Sequence, residues 1–117
     1  IIDYAPTPDG LYNVIQTIRG FAKGRVITVF GCGGDRDKGK RPKMGKIASE
    51  LSDFSVVTSD NPRSEDPNAI IEDILVGIKE GGGAYIVIPN RFEAIEYALD
   101  HAQKDDIIDA YMMIGFL

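Results

Sequence analysis

The run Arg25-Val26-Ile27-Thr28-Val29-Phe30-Gly31-Cys32-Gly33-Gly34 decides the fold. Val26 to Phe30 is too uniformly apolar for a strand with one wet face, and it fits a strand covered on both faces, as in a parallel sheet flanked by helices. Glycines follow at once. They lie beyond the carboxyl end of the strand, where open α/β sheets bind their ligands.

Outward from this strand the period changes to that of a helix on either side. Leu11, Val14, Ile15, Ile18, Phe21 and Ala22 form one stripe, with Thr7 placed to cap, Pro8 at the first helical position and Gly24 just past the end. After the glycines, Met44, Ile47, Ala48 and Leu51 repeat at helical spacing, and Phe54 to Thr58 supplies a second strand. Asp66 and Pro67 open a third helix, which carries Ile70, Ile71, Ile74, Leu75 and Ile78 and closes at Gly81 to Gly83. Ala84 to Ile88 is a third strand. Asn90 caps a fourth helix with Glu93 three residues on, and Phe92, Ile95, Leu99 and Ala102 are expected to face inward. Asp106 precedes a last apolar stretch, Ile107 to Leu117, read as a final core strand; an exposed edge or a partner contact is the other reading of its end. Four helix-strand alternations with short connections specify an α/β fold. The expectation is one Rossmann-like domain over residues 1–117, with an open, mostly parallel sheet and helices on both faces.

Composition agrees. A chain of 117 residues with 44% hydrophobic and 26% charged side chains supports a single domain with an ordinary core. Its one cysteine, Cys32, excludes an intrachain disulfide. No stretch reaches the roughly 18 apolar residues of a membrane span, and Ile1-Ile2-Asp3-Tyr4 does not read as a signal peptide. A cytoplasmic protein without membrane contact is expected. Eighteen acidic against thirteen basic residues give a net charge of -5, which argues against nucleic acid as a partner. An anion site would have to be local.

Two loops have the chemistry for one. Asp35 to Lys43, after the glycines, holds five basic and two acidic residues, next to the positive end of a helix. Gly34 to Lys40 matches a P-loop until Arg41, which stands where the Mg²⁺-binding hydroxyl belongs, and Arg36 breaks the dinucleotide fingerprint. Both motifs are declined; a solvated charged turn is the plain alternative. The second loop is Asp60-Asn61-Pro62-Arg63-Ser64-Glu65-Asp66. Pro62 should hold Asn61 extended. A guanidinium beside an amide suits a carboxylate with a neighbouring amine, as an amino acid offers. The alternative is a turn and helix cap with Arg63 paired to Glu65. Cys32, with no histidine nearby, reads as a packing residue, and His101 as solvated or complementing its helix end.

Together these segments resemble the C-terminal domain of the Mur ligase family. The segments are Asp3-Tyr4-Ala5-Pro6-Thr7-Pro8-Asp9-Gly10, Val29 to Asp37, Gly39-Lys40-Arg41-Pro42 and Thr58-Ser59-Asp60-Asn61-Pro62-Arg63. The resemblance implies a ligase of three domains, of which this chain is the last; the N-terminal UDP-substrate domain and the central ATP-binding domain would be absent. It further implies an activity in peptidoglycan precursor synthesis: ATP activates a terminal carboxylate of UDP-N-acetylmuramoyl-L-alanyl-D-glutamate to an acyl-phosphate, and the amine of meso-diaminopimelate attacks it. Arg36, Asp60, Asn61 and Arg63 would bind the diaminopimelate, and Tyr4 and Asp9 would lie near the nucleotide. ATP and Mg²⁺ would serve the full-length ligase, with neither cofactor, no metal ligand and no catalytic residue in this domain, which alone would be inactive. Two departures stand out: Pro6 replaces the family's histidine, and Asp109 to Leu117 replaces a Gly-Lys-Gly-His-Glu segment that helps bind the amino group. A noncatalytic anion- or partner-binding module of the same fold is the other reading.

Overall fold

Strand β1 (Val26–Phe30) is buried at every residue, because it has a strand on each side and a helical layer on each face. The computed structural model describes residues 7–112. Within them the order is α1 (Pro8–Arg19), β1, α2 (Lys40–Leu51), β2 (Phe54–Val57), α3 (Pro67–Gly81), β3 (Tyr85–Val87), α4 (Arg91–His101) and β4 (Ile107–Tyr111). The four strands are all parallel in the order β3-β2-β1-β4, and Val29 lies level with Val56 and Ala110. This is the expected α/β sheet.

Side chains of β1 alternate between two cores, as the strand period of two requires. Val26 and Phe30 pack with Leu11 and Ile15 of α1, Met44 of α2, and Ile70, Ile74 and Ile78 of α3. Ile27 and Val29, with Val56, meet Ala94 and Ala98 of α4 on the opposite face. Three of the helices begin with the caps their sequences specify. The side chains of Thr7, Asp66 and Asn90 accept hydrogen bonds from the amides of Gly10, Asn68 and Glu93 at 3.1, 2.9 and 3.0 Å, each satisfying an otherwise orphan donor. None of the described helices is long and apolar enough to cross a membrane.

Two expectations need correction. Helix α1 ends at Arg19 with Gly20 as its cap, not at Gly24, and Phe21 is exposed. Gly24 serves a close approach: a Cβ there would sit 2.6 Å from the carbonyl of Asp105. On α4, Phe92 and Leu99 are 65% and 63% exposed, and Ala102 lies past the helix end and is exposed. The helix lies on the sheet through Ala94 and Ala98, and Phe92, two residues before Ala94, is roughly 200° around the axis from it.

Helices α2 and α3 cross at two glycines that let their backbones touch. A Cβ on Gly45 would collide with the carbonyl oxygen of Ile74, and one on Gly77 with that of Pro42. Gly82, by contrast, closes α3 at φ +77° with open space around its Cβ position. Gly77→Ala should therefore cost about 1–3 kcal/mol or more through overpacking, while Gly82→Ala should cost only about 1 kcal/mol through backbone strain. Urea unfolding of the two variants checks the order; Gly82→Ala as the more damaging change would contradict it.

Candidate functional site

The loops after β1 and β2 leave the same end of the sheet and are sewn together by backbone bonds. Gly34 donates its amide to the carbonyl of Asn61 at 3.0 Å, and a Cβ on Gly34 would run into the carbonyl of Pro62. Ser64 donates its amide and its hydroxyl to the Asp35 carboxylate at 3.2 and 2.7 Å. Arg63 reaches back across the seam, donating from Nη1 to the carbonyl of Gly34 at 2.7 Å. Three residues singled out in the sequence meet at Gly33. A Cβ built there would lie 2.9 Å from Nη1 of Arg63, 3.7 Å from Cγ of Arg36 and 3.9 Å from the carbonyl of Asn61. All three are exposed, and among the described residues no ion pair engages Arg36 or Arg63. Glu65, the alternative partner for Arg63, is committed elsewhere.

That commitment is to Arg41, which is 1% exposed. Its Nη1 donates to Oε2 of Glu65 at 3.0 Å and to Oδ2 of Asp73 at 2.9 Å. Its Nη2 donates to Oε1 of Glu65 at 2.8 Å and to the carbonyl of Gly33 at 3.2 Å. Oε1 of Glu65 also accepts the Asp35 amide at 2.7 Å. The forked bond from Arg41 and the bond from the Asp35 amide hold the Glu65 carboxyl down to about 2 from its ordinary 4.5. Sequence reasoning read Arg41 as one of the loop's basic residues, as part of the Gly39-Lys40-Arg41-Pro42 segment and as the residue that spoils a P-loop, not as a buried one. The overlooked signal is its place on α2: Arg41, Met44, Gly45 and Ala48 share the buried face, so an arginine standing at a core position called for an internal partner. One of the five basic residues between Asp35 and Lys43 is thus neutralised inside the protein.

Backbone strain concentrates in the same loops. Asp35, Asn61 and Arg63 have φ of +54°, +44° and +52°, in a region that non-glycine residues seldom adopt. Asn61 is therefore not held extended by Pro62. Asparagine tolerates the left-handed region, and in that conformation its carbonyl accepts the Gly34 amide.

The remaining expected residues lie apart. Asp60 is 1% exposed, its Oδ1 3.7 Å from Nη1 of Arg91; it braces the loop from below while Asn61 faces solvent. Asn61 and Pro62 also form one wall of an open cleft of about 430 Å³, with Asn90, Arg91 and Phe92 opposite. Asp9 is exposed in the first turn of α1, whose cap residue Thr7 bonds Tyr111 of β4 at 3.3 Å. This is the β4 side of the sheet, with β1 between it and the Arg63 loop. Tyr4, Pro6 and the tail from 113 to 117 lie outside the described residues. Cys32 is buried with Sγ 3.7 Å from Sδ of Met44, and burial pushes its thiol up to about 12, as befits a packing residue. His101 stacks on Tyr97 at 3.9 Å, its Nδ1 2.9 Å from the Tyr97 carbonyl.

The chain with this parallel α/β sheet matches the class described as Mur ligase, glutamate ligase domain. The model of that family covers residues 1–109, and the chain belongs to it. Among its relatives, it is 59% identical over 108 residues to UDP-N-acetylmuramoyl-L-alanyl-D-glutamate--2,6-diaminopimelate ligase 1 of Clostridium acetobutylicum, covering 92% of this chain and 22% of that protein. It is 56% identical over 122 residues to the correspondingly named ligase of Listeria innocua, covering 98% and 25%. A solved structure of such a ligase superposes with a TM-score of 0.84 at 44% identity, over 92% of this chain and 22% of that one. A folylpolyglutamate synthase of Thermotoga maritima shares the fold, with a TM-score of 0.58 at 20% identity over 93% and 24%. The chain thus spans about a quarter or less of the length of these relatives.

The Glu65 contacts carry a pH signature. Because folding lowers its carboxyl from 4.5 to about 2, the stability it contributes is present above pH 4.5 and is lost as pH falls through 2. Asp106, held at about 2 from 3.8 by the Arg25 guanidinium and the Gln103 amide, acts in the same direction. Asp109, raised by burial, works the other way, so urea unfolding at successive pH values should show stability falling below about pH 5, with the Glu65 contribution read from the comparison with Glu65→Gln. Glu65→Gln should be less stable than the parent at pH 7 yet fall less steeply; an unchanged acid slope would refute the assignment.

Proposed function

We propose that this chain is the amino-acid-docking domain of an ATP-dependent ligase that adds meso-diaminopimelate to UDP-N-acetylmuramoyl-L-alanyl-D-glutamate in the cytoplasm, during synthesis of peptidoglycan precursors. The observation that carries the reading is the Arg63 guanidinium, tethered to Gly34 by Nη1 and in no ion pair among the described residues, with Arg36 and Asn61 beside it around Gly33. Such a group forks onto a carboxylate. meso-Diaminopimelate presents a carboxylate and an amine at each end, and lysine lacks the far carboxylate, so a second guanidinium has work only with the former. In this reading Arg36 and Arg63 take the two acid groups and Asn61 takes an amine. Asp60, below the surface against Arg91, positions the loop and supplies its negative charge near the amine.

The bound amino acid would present its other amine to the acyl-phosphate carbonyl; the amide forms and phosphate leaves. Forming the acyl-phosphate consumes ATP with Mg²⁺, and the glycine loop does not fit that task. The P-loop hydroxyl position is Arg41, whose guanidinium is buried in ion pairs. Those steps belong to parts of such a ligase outside this chain, and Asp9, exposed on the β4 side of the sheet, is read as lying toward the nucleotide.

Titration with meso-diaminopimelate and with lysine, followed by NMR shifts, tests the reading. The parent chain should prefer diaminopimelate. Removing a charge-assisted bond worth about 1.5–3 kcal/mol, Arg63→Ala should weaken diaminopimelate binding about 10- to 100-fold and leave lysine nearly unaffected. Equal binding of both amino acids, or none, would favour a noncatalytic module of the same fold. The 117-residue chain incubated with ATP, Mg²⁺ and both substrates should form no tripeptide product, and any formed would refute the division of labour.

A further inference from the structure

Besides the bonds that Gly34 and Asp35 make directly with the second loop, a further tie runs through one guanidinium that solvent barely reaches. Arg41 is set on α2, at the first turn after the glycine loop. It touches both loops and a third element: Gly33 of the first loop, Glu65 of the second and Asp73 of α3. Its Nε has no partner among the described residues, so all its bonding passes through the two terminal nitrogens. Glu65 in turn holds the Asp35 amide, and Asp35 holds Ser64 beside Arg63. Gly33 and Glu65 thus bond Arg41 directly, Asp35 and Pro62 bond Glu65, Ser64 bonds Asp35, and Asn61 and Arg63 bond Gly34, the neighbour of Gly33. Three of them are held at positive φ.

We propose that the Arg41–Glu65 pair is a positioning device for Arg63: it sets the register of the two loops, and so determines how well a second carboxylate is recognised. The proposal rests on the docking function put forward above. Its weight falls on Glu65 and not on Asp73. Both carboxylates meet the same guanidinium at 2.8–3.0 Å, but only Glu65 continues into the loops, whereas Asp73 sits on α3. A pair that merely stabilised the fold would, when weakened, lower the protection of β1 together with that of the loops, whereas a positioning pair loosens the loops alone.

That difference is the experiment. Glu65→Gln and Asp73→Asn each remove one negative charge from Arg41 with little change of shape. Two readouts are taken on the whole chain: hydrogen exchange of the Gly34 and Asp35 amides relative to those of β1, and the ratio of meso-diaminopimelate to lysine affinity. Glu65→Gln should speed exchange at Gly34 and Asp35 at least tenfold while β1 keeps its protection, and should cut the affinity ratio at least tenfold. Asp73→Asn should leave both within about twofold. Equal effects of the two variants, or unchanged exchange at Gly34 and Asp35 in Glu65→Gln, would overturn the proposal. Should Glu65→Gln fail to fold, Glu65→Asp is judged by the same criteria. A parent chain without preference for diaminopimelate would instead overturn the docking function, and the exchange measurement would still decide whether Arg41 and Glu65 set the loops.

Discussion

A guanidinium taken out of water between two carboxylates is the constraint on which the carboxyl edge of this sheet depends. Taking the Arg41 guanidinium out of water costs free energy before any contact is made, and buried ion pairs often return little more than that cost. The arrangement is therefore poorly explained as a source of stability. It is well explained as a source of geometry, because a planar fork bonded to Glu65 through both terminal nitrogens allows one relative placement of the groups it joins. An apolar residue on α2 would remove the bonds to Gly33 and Glu65 and leave the register of the β1–α2 and β2–α3 loops to their direct contacts alone.

The strain in those loops agrees with this view. Asp35, Asn61 and Arg63 at positive φ each cost of the order of 1–3 kcal/mol and persist only where surrounding structure over-determines them. Here the over-determination is visible: the Gly34 amide on Asn61, the Asp35 carboxylate on Ser64 and the Glu65 carboxylate on the Asp35 amide. Bonds of this kind cannot form if the loops move apart. The close approach of Gly34 to the Pro62 carbonyl adds a steric condition, since any side chain at that position would force them apart.

Most of the fold could be read from residues alone because its signals are local. The caps at Thr7, Asp66 and Asn90 need only three following residues to act, and the valine and isoleucine run of β1 declares its burial within five. The inward face of α4 could not be read that way. Phe92 and Leu99 as well as Ala94 and Ala98 are apolar, and only the distance between helix and sheet decides that the alanines fit beneath. At the site, an arginine beside an asparagine gave Asn61 and Arg63 recognisable chemistry, although a turn and helix cap read from the same residues, and only the family resemblance pointed to Arg36. Arg41 did not, because its partners Glu65 and Asp73 lie 24 and 32 residues further along the chain, and no local pattern relates them.

Motif alone also does not tell which arginines can serve a ligand. Arg36, Arg41, Arg63 and Arg91 all belong to segments next to the same sheet edge, and nothing in their flanking residues ranks them. The carboxylates do. Arg41 is engaged by Glu65 and Asp73, and Arg91 faces Asp60 at 3.7 Å while its guanidinium carbon lies 5.5 Å from the centre of the Phe92 ring. Arg36 and Arg63 are left toward solvent. In a chain of net charge -5, this partition leaves Arg36 and Arg63 exposed and outside the ion pairs found among the described residues. A guest with a single carboxylate can satisfy one of the two exposed guanidinium groups, and a guest with a carboxylate at each end can satisfy both. Under the proposed docking function, selectivity between such guests would follow from the placement of Arg36 and Arg63, which is a property of the seam between the loops and not of either arginine by itself.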